Sequence, residues 1–265
     1  MTVATAEPVV ARNASADSPT AIAVRGLHKV YGPRGNHVLA LRDVTMSVER
    51  GEFVCLVGAS GCGKSTLLNL LAGLDRVQAG SMEVNGRVSL LFQEAALFPW
   101  LTARENVELA MRFAGVPAQE RRGRAEALLS TVRLDGFCDR RPHELSGGMR
   151  QRVALARALA QGADVLLMDE PFGALDAMTR DILHDDLERI VVDGGLTGLL
   201  VNHDVREAVR LGDRVIVLTS RPGTVAETFD VDVSRPRQHG DPEVARLTEV
   251  ITERLRAEVR RHAND

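Results

Sequence analysis

Apolar and polar positions alternate, with interruptions, through AIAVRGLHKVY (21–31) and VLALRDVTMSVE (38–49), which predicts strands of a small antiparallel layer. The next apolar run, EFVCLVG (52–58), stops at the glycine-rich GASGCGKST (58–66), and KSTLLNLLAGL (64–74) then follows as a helix. SMEVNG (81–86) and VSLLFQ (88–93) return to strand pattern. From Leu101 to about Leu159 the period turns helical: ARENVELAMRFAG (103–115), then PAQERRGRAEALLSTVRL (117–134) with Pro117 at the first helical position, then LSGGMRQRVALARAL (145–159), whose Val153, Ala156 and Leu159 fall at helical spacing. ADVLLMDEP (163–171) is a continuous apolar run of the kind buried on both faces of a parallel sheet, and LTGLLVNHD (196–204) and DRVIVLTS (213–220) repeat it with short helices between. The last segment, 241–265, has Asp241 as a cap, Pro242 in the first turn and Val244, Leu247, Ile251 and Leu255 on one face, an amphipathic C-terminal helix.

Strands alternating with helices predict an α/β fold: a parallel-sheet core, a small antiparallel β layer and a helical subdomain at about 94–160. Residues 1–20, rich in Ala, Thr, Ser and Pro, are expected to be a disordered N-terminal tail, residues 21–240 the main domain, and 241–265 the terminal helix.

Composition narrows the partners. A formal charge of −3 supplies no basic field, so nucleic acid is not an expected partner. No apolar run reaches the roughly eighteen residues of a membrane span, and the opening lacks the basic start and apolar core of a signal peptide. Three cysteines, Cys55, Cys62 and Cys138, form no C-x-x-C pair and point to a reduced, cytoplasmic compartment.

The strand, glycine loop and helix around residues 58–66 are the context of a phosphate-binding loop. Gly58, Gly61 and Gly63 let the backbone of Gly58, Ala59, Ser60, Gly61, Cys62 and Gly63 approach an anion; Lys64 reaches the outer phosphates, and Ser65, followed by Thr66, can hold Mg²⁺. Lys29 is the only other lysine of the chain. Cys62 within the loop reads as a small space-filler. LSGG (145–148) places Ser146, Gly147 and Gly148 before a second helix start, a second anion site by the same logic. Asp169 and Glu170 end an apolar strand; on an extended chain they point to opposite sides, Asp169 toward Mg²⁺ and Glu170 toward the attacking water. His203 ends a parallel strand where it can touch a γ-phosphate, and Gln93 ends another where it can reach Mg²⁺ or water.

In this order, the phosphate loop 58–66, Gln93, the signature 145–149, VLLMDE (165–170), GALD (173–176) and His203 resemble the ATP-binding-cassette ATPases over nearly the whole chain after the tail. The resemblance implies ATP and Mg²⁺ as cofactors, Tyr31 as the aromatic on which adenine stacks, and Glu170, His203 and Gln93 as catalytic groups. It also implies a head-to-tail dimer with a second copy of the chain, in which Ser146, Gly147 and Gly148 cap the partner's ATP and Asp176 lies at the subunit junction. With no span of its own, such a motor works on a separate integral membrane permease at the cytoplasmic face of the cell membrane, and indirectly with a periplasmic or lipid-anchored solute-binding protein. QEAALFPW (93–100), with Leu97, Phe98, Pro99 and Trp100, is a candidate dock for that permease if exposed, the alternative being that these side chains pack under the helical insert. LFQEAALFPWLTARENV, TSRPGTV (219–225) and SRPRQHGDPEVARL (234–247) are similar to importer ATPases for nitrate, aliphatic sulfonates and taurine, with sulfonates placed first and nitrate, taurine or a pyrimidine precursor as alternatives. Asn202, where threonine commonly precedes the histidine, departs from the pattern. A soluble cassette acting on DNA or ribosomes is a further alternative; it calls for long coiled-coil insertions or two fused cassettes, and neither is present.

Overall fold

The computed structural model describes residues 10–11, 19–33, 37–173, 175–238 and 240–263, and these form two units: the chain up to Gly86 together with Thr197 onward, and Arg87–Leu196. The first unit opens with β1 (Val10–Ala11), β2 (Thr20–Tyr31), β3 (Val38–Glu49), β4 (Phe53–Val57), α1 (Lys64–Leu71) and β5 (Ala79–Val84). β2 lies antiparallel between β3 and β5, and β1 adds parallel to the outer side of β5. Of the expected tail 1–20, Val10–Ala11 therefore pair with Met82–Glu83 and Thr20 already belongs to β2, while residues 1–9 and 12–18 lie outside the described residues. Alternating apolar residues of the layer, among them Ile22, Val24, Leu27, Leu41, Val44 and Val48, are buried, as the sequence pattern requires of a sheet with one covered face.

The second unit contains β6 (Val88–Leu91), α2 (Ala103–Phe113), α3 (Ala118–Thr131), α4 (Gly147–Leu159), β7 (Val165–Asp169) and α5 (Ala177–Gly194). α2 begins with a reciprocal cap: Thr102 Oγ1 accepts from the Glu105 amide at 3.2 Å and Glu105 accepts from the Thr102 amide at 2.7 Å. Val107 and Met111 of α2 are buried where that helix packs on α3 and α4. Pro117 is the N-cap of α3 and Ala118 its first helical residue, so the helix starts one position later than expected. β6 and β7 pair in parallel, and a buried carboxylate ties α5 to the helical layer: Asp186 meets Arg133 at 2.8 Å, Arg189 at 3.3 Å and Arg152 of α4 at 3.7 Å. These two features make the unit larger than the helices alone.

The chain then returns to the first unit with β8 (Thr197–Asn202), α6 (Val205–Leu211), β9 (Arg214–Leu218), β10 (Val225–Asp230) and α7 (Pro242–Ala263). β4 lies in parallel between β8 and β9, the middle of each strand buried and apolar, and β10 closes this side antiparallel to β9. β10 was not foreseen: its residues are half-buried or exposed, so VAETFD lacks the apolar signal of the central strands. α7 is capped by Asp241, whose Oδ1 accepts from the Glu243 amide at 2.9 Å, and Val244 and Ile251 are buried in the face that packs on α6.

Candidate functional site

Register brings the first unit's chemistry to one sheet end. Val57 pairs with Asn202 of β8 and with Val217 of β9, so the loop after β4, His203 after β8 and the connection after β9 all leave the carboxyl ends of adjacent parallel strands. Between β4 and α1 the chain wraps tightly, with Gly61 at φ 76° and Gly63 at φ 100°, left-handed values that glycine adopts without strain. Lys64, buried, donates from Nζ to the carbonyls of Gly58 at 2.9 Å and Ala59 at 3.1 Å. The ammonium is thus held inside the loop, with its charge available to an anion seated there. Cys62 is buried with its sulfur where a Gly58 side chain would stand, 2.6 Å from the Cβ position, so it fills space as expected. Ser60 and Ser65 are exposed.

Tyr31, at the end of β2, is held by groups the sequence did not single out for this purpose. Its hydroxyl donates to Asp75 Oδ2 at 2.8 Å, Lys29 Nζ donates to Asp75 Oδ1 at 2.6 Å and to the Arg76 carbonyl at 3.0 Å, and the same ammonium stands 5.0 Å from the Tyr31 ring centre. Burial and then the Asp75 carboxylate raise the Tyr31 phenol above its ordinary pKa. Burial opposes ionisation of Asp75, but hydrogen bonds from Lys29, Tyr31 and the Arg76 amide outweigh it and hold the carboxyl below its usual range. Of the two lysines of the chain, one is thus held inside the glycine loop and the other beside the tyrosine.

His203 is exposed immediately after β8, and Asn202 sets the turn: its Oδ1 accepts from the His203 amide at 2.7 Å and the Asp204 amide at 3.1 Å. Asp204 in turn caps α6 through the Arg206 amide at 2.8 Å. The departure from threonine at 202 thus substitutes a side-chain carbonyl that fixes the backbone on which His203 stands.

In the second unit Leu91 pairs with Met168, so Gln93 and Glu170 follow adjacent parallel strand ends. A Cβ on Gly173 would stand 3.8 Å from Gln93 Nε2 and 3.9 Å from Glu170 Oε2, so both side-chain tips flank Gly173. The opposite-sides expectation for Asp169 and Glu170 needs correction. β7 ends at Asp169, and Glu170 turns to φ 42° to enter a turn closed by the Gly173 amide on the Glu170 carbonyl at 3.2 Å, so the pair is not extended. A left-handed non-glycine residue is the kind of local strain found at functional sites, and here it leaves the Glu170 carboxylate beside Gly173, as Gln93 is.

Ser146 N-caps α4, its Oγ accepting from the Met149 amide at 3.2 Å, and Gly147 is exposed at the helix start. Gly148 has a packing role as well: it is buried, and a Cβ there would lie 2.3 Å from Thr179 Cγ2. Thr179 is in turn gripped by Asp176, the N-cap of α5, which accepts from the Thr179 amide at 3.0 Å and hydroxyl at 2.7 Å. These two bonds keep the Asp176 carboxyl below its ordinary pKa. The missing side chain of Gly148 thus lets the signature helix sit directly on the first turn of α5.

A lysine-filled glycine loop between a parallel strand and a helix, with a serine-capped Ser-Gly-Gly opening a second helix, defines the nucleotide-binding cassette of a P-loop ATPase. Residues 41–173 match the ABC transporter family, and the chain belongs to it, as an ATPase of the kind that powers transport. The aliphatic sulfonates import ATP-binding protein SsuB 1 of Mesorhizobium japonicum is 44% identical over 94% of this chain and 94% of that protein. The nitrate import ATP-binding protein NrtD of Synechocystis is 46% identical over 79% of this chain and 82% of that one. The bicarbonate transport ATP-binding protein CmpC of Synechococcus elongatus is 43% identical over 83% of this chain, which spans 35% of that longer protein. Among solved structures, the dimeric post-hydrolysis cassette MJ0796, bound to ADP and Pi, is similar with a TM-score of 0.72 at 32% identity, covering 80% of this chain and 100% of that one.

Proposed function

We propose that this chain is the ATP-hydrolysing motor subunit of an importer for a small anion, with aliphatic sulfonates as the first choice of cargo. The carrying observation is the loop 58–66, whose glycine geometry and buried Lys64 fit a polyphosphate: the ammonium is already directed into the loop, and backbone amides at the start of α1 favour negative charge. Tyr31, fixed by Asp75, offers an adenine platform. Ser65, Gln93 and Asp169 are the groups for Mg²⁺, which when bound neutralises charge on the phosphates. Among the described residues no three His, Cys, Asp or Glu side chains form a metal centre of their own, so the ion would depend on phosphate oxygens and water as well.

Glu170 is the general base. It takes a proton from the water that attacks the γ-phosphorus while the bond to the ADP oxygen breaks, Gln93 orients that water, and His203 stabilises the transferring phosphoryl group. Two copies assemble head to tail, with Ser146, Gly147 and Gly148 of one over the ATP of the other and Asp176 at the junction; the dimeric state of the MJ0796 cassette supports this reading. Closure and opening are passed to an integral membrane permease at the cytoplasmic face, served by a periplasmic or lipid-anchored solute-binding protein. Phe98 and Trp100 support a dock for it: they are 39% and 66% exposed, with ring centres 5.5 Å apart, rather than packed beneath the helices.

The sulfonate choice rests on the near full-length likeness to SsuB 1, and nitrate is the second reading on the likeness to NrtD. A tagged Glu170→Gln protein, incubated with MgATP in gently solubilised membranes and recovered, tests the assignment. Co-recovery of a polytopic permease in stoichiometric yield supports an importer and identifies the binding protein to titrate with alkanesulfonates, taurine and nitrate. Recovery of ribosomal or DNA-associated proteins alone overturns it.

A further inference from the structure

The connection after β9, TSRPGT (219–224), lies at the same sheet end as the phosphate loop because β9 runs parallel beside β4. Its shape is fixed internally: the Thr219 amide donates to the Thr224 carbonyl at 2.9 Å, the Thr224 amide to Thr219 Oγ1 at 2.9 Å, and Thr219 Oγ1 to the Pro222 carbonyl at 2.8 Å. It is also tied to β3, since the Gly223 amide donates to Ala40 and the Arg42 amide to Gly223, each at 2.9 Å.

From this fixed turn two groups touch the phosphate loop. Arg221 Nε donates to the Gly61 carbonyl at 3.3 Å, and its guanidinium lies so close over Gly61 that a Cβ there would meet Nη2 at 2.9 Å. Gly223 is buried against the next carbonyl: a Cβ on it would stand 2.1 Å from Cys62 O. In a trans peptide the carbonyl and the following N–H point to opposite sides. Holding the Gly61 and Cys62 carbonyls on the outer side therefore turns the Cys62 and Gly63 amides inward. The Cys62 amide closes the loop on the Ala59 carbonyl at 3.2 Å, a bond strengthened when a cation polarises its own peptide, and the Gly63 amide is left facing the side an anion would take.

We propose that Arg221 and Gly223 form a brace that presets the phosphate loop for nucleotide, with Arg221 a positioning residue acting through the Gly61 peptide. This rests on the reading of residues 58–66 as the ATP site. The test compares wild type with Arg221→Ala, Arg221→Lys and Gly223→Ala for affinity toward a fluorescent ATP analogue, for the kcat and KM of MgATP hydrolysis, and for the melting temperature without nucleotide. Arg221→Ala is expected to weaken nucleotide affinity and raise KM by about five- to tenfold, with kcat within about twofold and the nucleotide-free melting temperature unchanged. Arg221→Lys, which retains a donor, recovers part of the affinity, and Gly223→Ala, where the new methyl group collides with backbone, loses more than Arg221→Ala. Wild-type affinity in Arg221→Ala overturns the proposal while leaving the ATP site standing. Lowered affinity that tracks a lowered melting temperature and is not recovered by lysine also overturns it. A wild type that binds no nucleotide removes the ATP-site reading itself.

Discussion

The Tyr31 hydroxyl donates to Asp75 Oδ2 at 2.8 Å, joining the last residue of β2 to the segment after α1 across 44 residues of chain. The other carboxylate oxygen takes the Lys29 ammonium, so one aspartate fixes both a ring and a charge.

That arrangement has a pH signature. Folding lowers the Asp75 pKa, so its stabilising contribution is fully present above the unfolded-state value of about 3.9 and is lost as pH falls through the lower folded value. The stability difference between wild type and Asp75→Asn, from urea unfolding followed by circular dichroism, is therefore expected to be constant between about pH 7 and 5 and to shrink below about pH 4. A difference that persists undiminished at the acid end contradicts the charge-based account.

The contact of Gly148 with Thr179 gives a packing test. Gly148→Ala inserts a methyl group at a point 2.3 Å from Thr179 Cγ2 and is expected to cost about 1–3 kcal/mol. Thr179→Ser removes that methyl and keeps the hydroxyl that Asp176 accepts from. In the double variant most of the loss is recovered, a coupling readable from a double-mutant cycle in chemical denaturation. Strict additivity would show that the signature helix is not seated on α5 through this pair.

These relationships divide according to how local they are. The glycine loop and the Ser146, Asp204 and Asp241 caps involve neighbours in sequence and follow from rules of helix termini, while Gln93, Asp169, Glu170 and His203 each stand at or just beyond the end of a strand. The groups that aim those residues are distant: Asp75 for Tyr31, Thr179 for Gly148, Arg221 for Gly61. Nothing in the periodicity around TSRPGT marks it as a neighbour of residue 61; only the adjacency of β9 and β4 does. Glu170 was read as extended because apolar strand pattern carries no information about the first residue beyond the strand, where φ turns positive. The one available hint was the lysine count, since the two lysines in so arginine-rich a chain proved to be held by the glycine loop and by the Asp75 that fixes Tyr31.

Glu170→Gln separates geometry from proton transfer. Glutamine has nearly the same volume and meets the same backbone φ of 42°, so the turn and the side chain's place beside Gly173 are retained while the base is lost. Turnover is expected to fall at least about 100-fold with ATP affinity unchanged, and the variant is expected to accumulate as an ATP-bound dimer in size-exclusion chromatography. Hydrolysis at the wild-type rate would assign the base elsewhere.

The trans arrangement can be tested by mixing two inactive subunits. Ser146→Asp keeps an oxygen that can cap α4 yet sets a negative charge where a phosphate is expected, so it damages the signature without unseating the helix. Lys64→Ala removes the ammonium held by Gly58 and Ala59 and leaves the signature intact. If each site takes its phosphate loop from one chain and its signature from the other, a heterodimer of the two variants contains one undamaged site and one doubly damaged. Random assortment of an equal mixture makes half the dimers heterodimers, so about a quarter of the wild-type complement of nucleotide sites should reappear. Binding of a fluorescent ATP analogue reads that recovery even when hydrolysis requires both sites. If each site were complete within one chain, every subunit in the mixture would carry its own defect, and mixing would restore nothing.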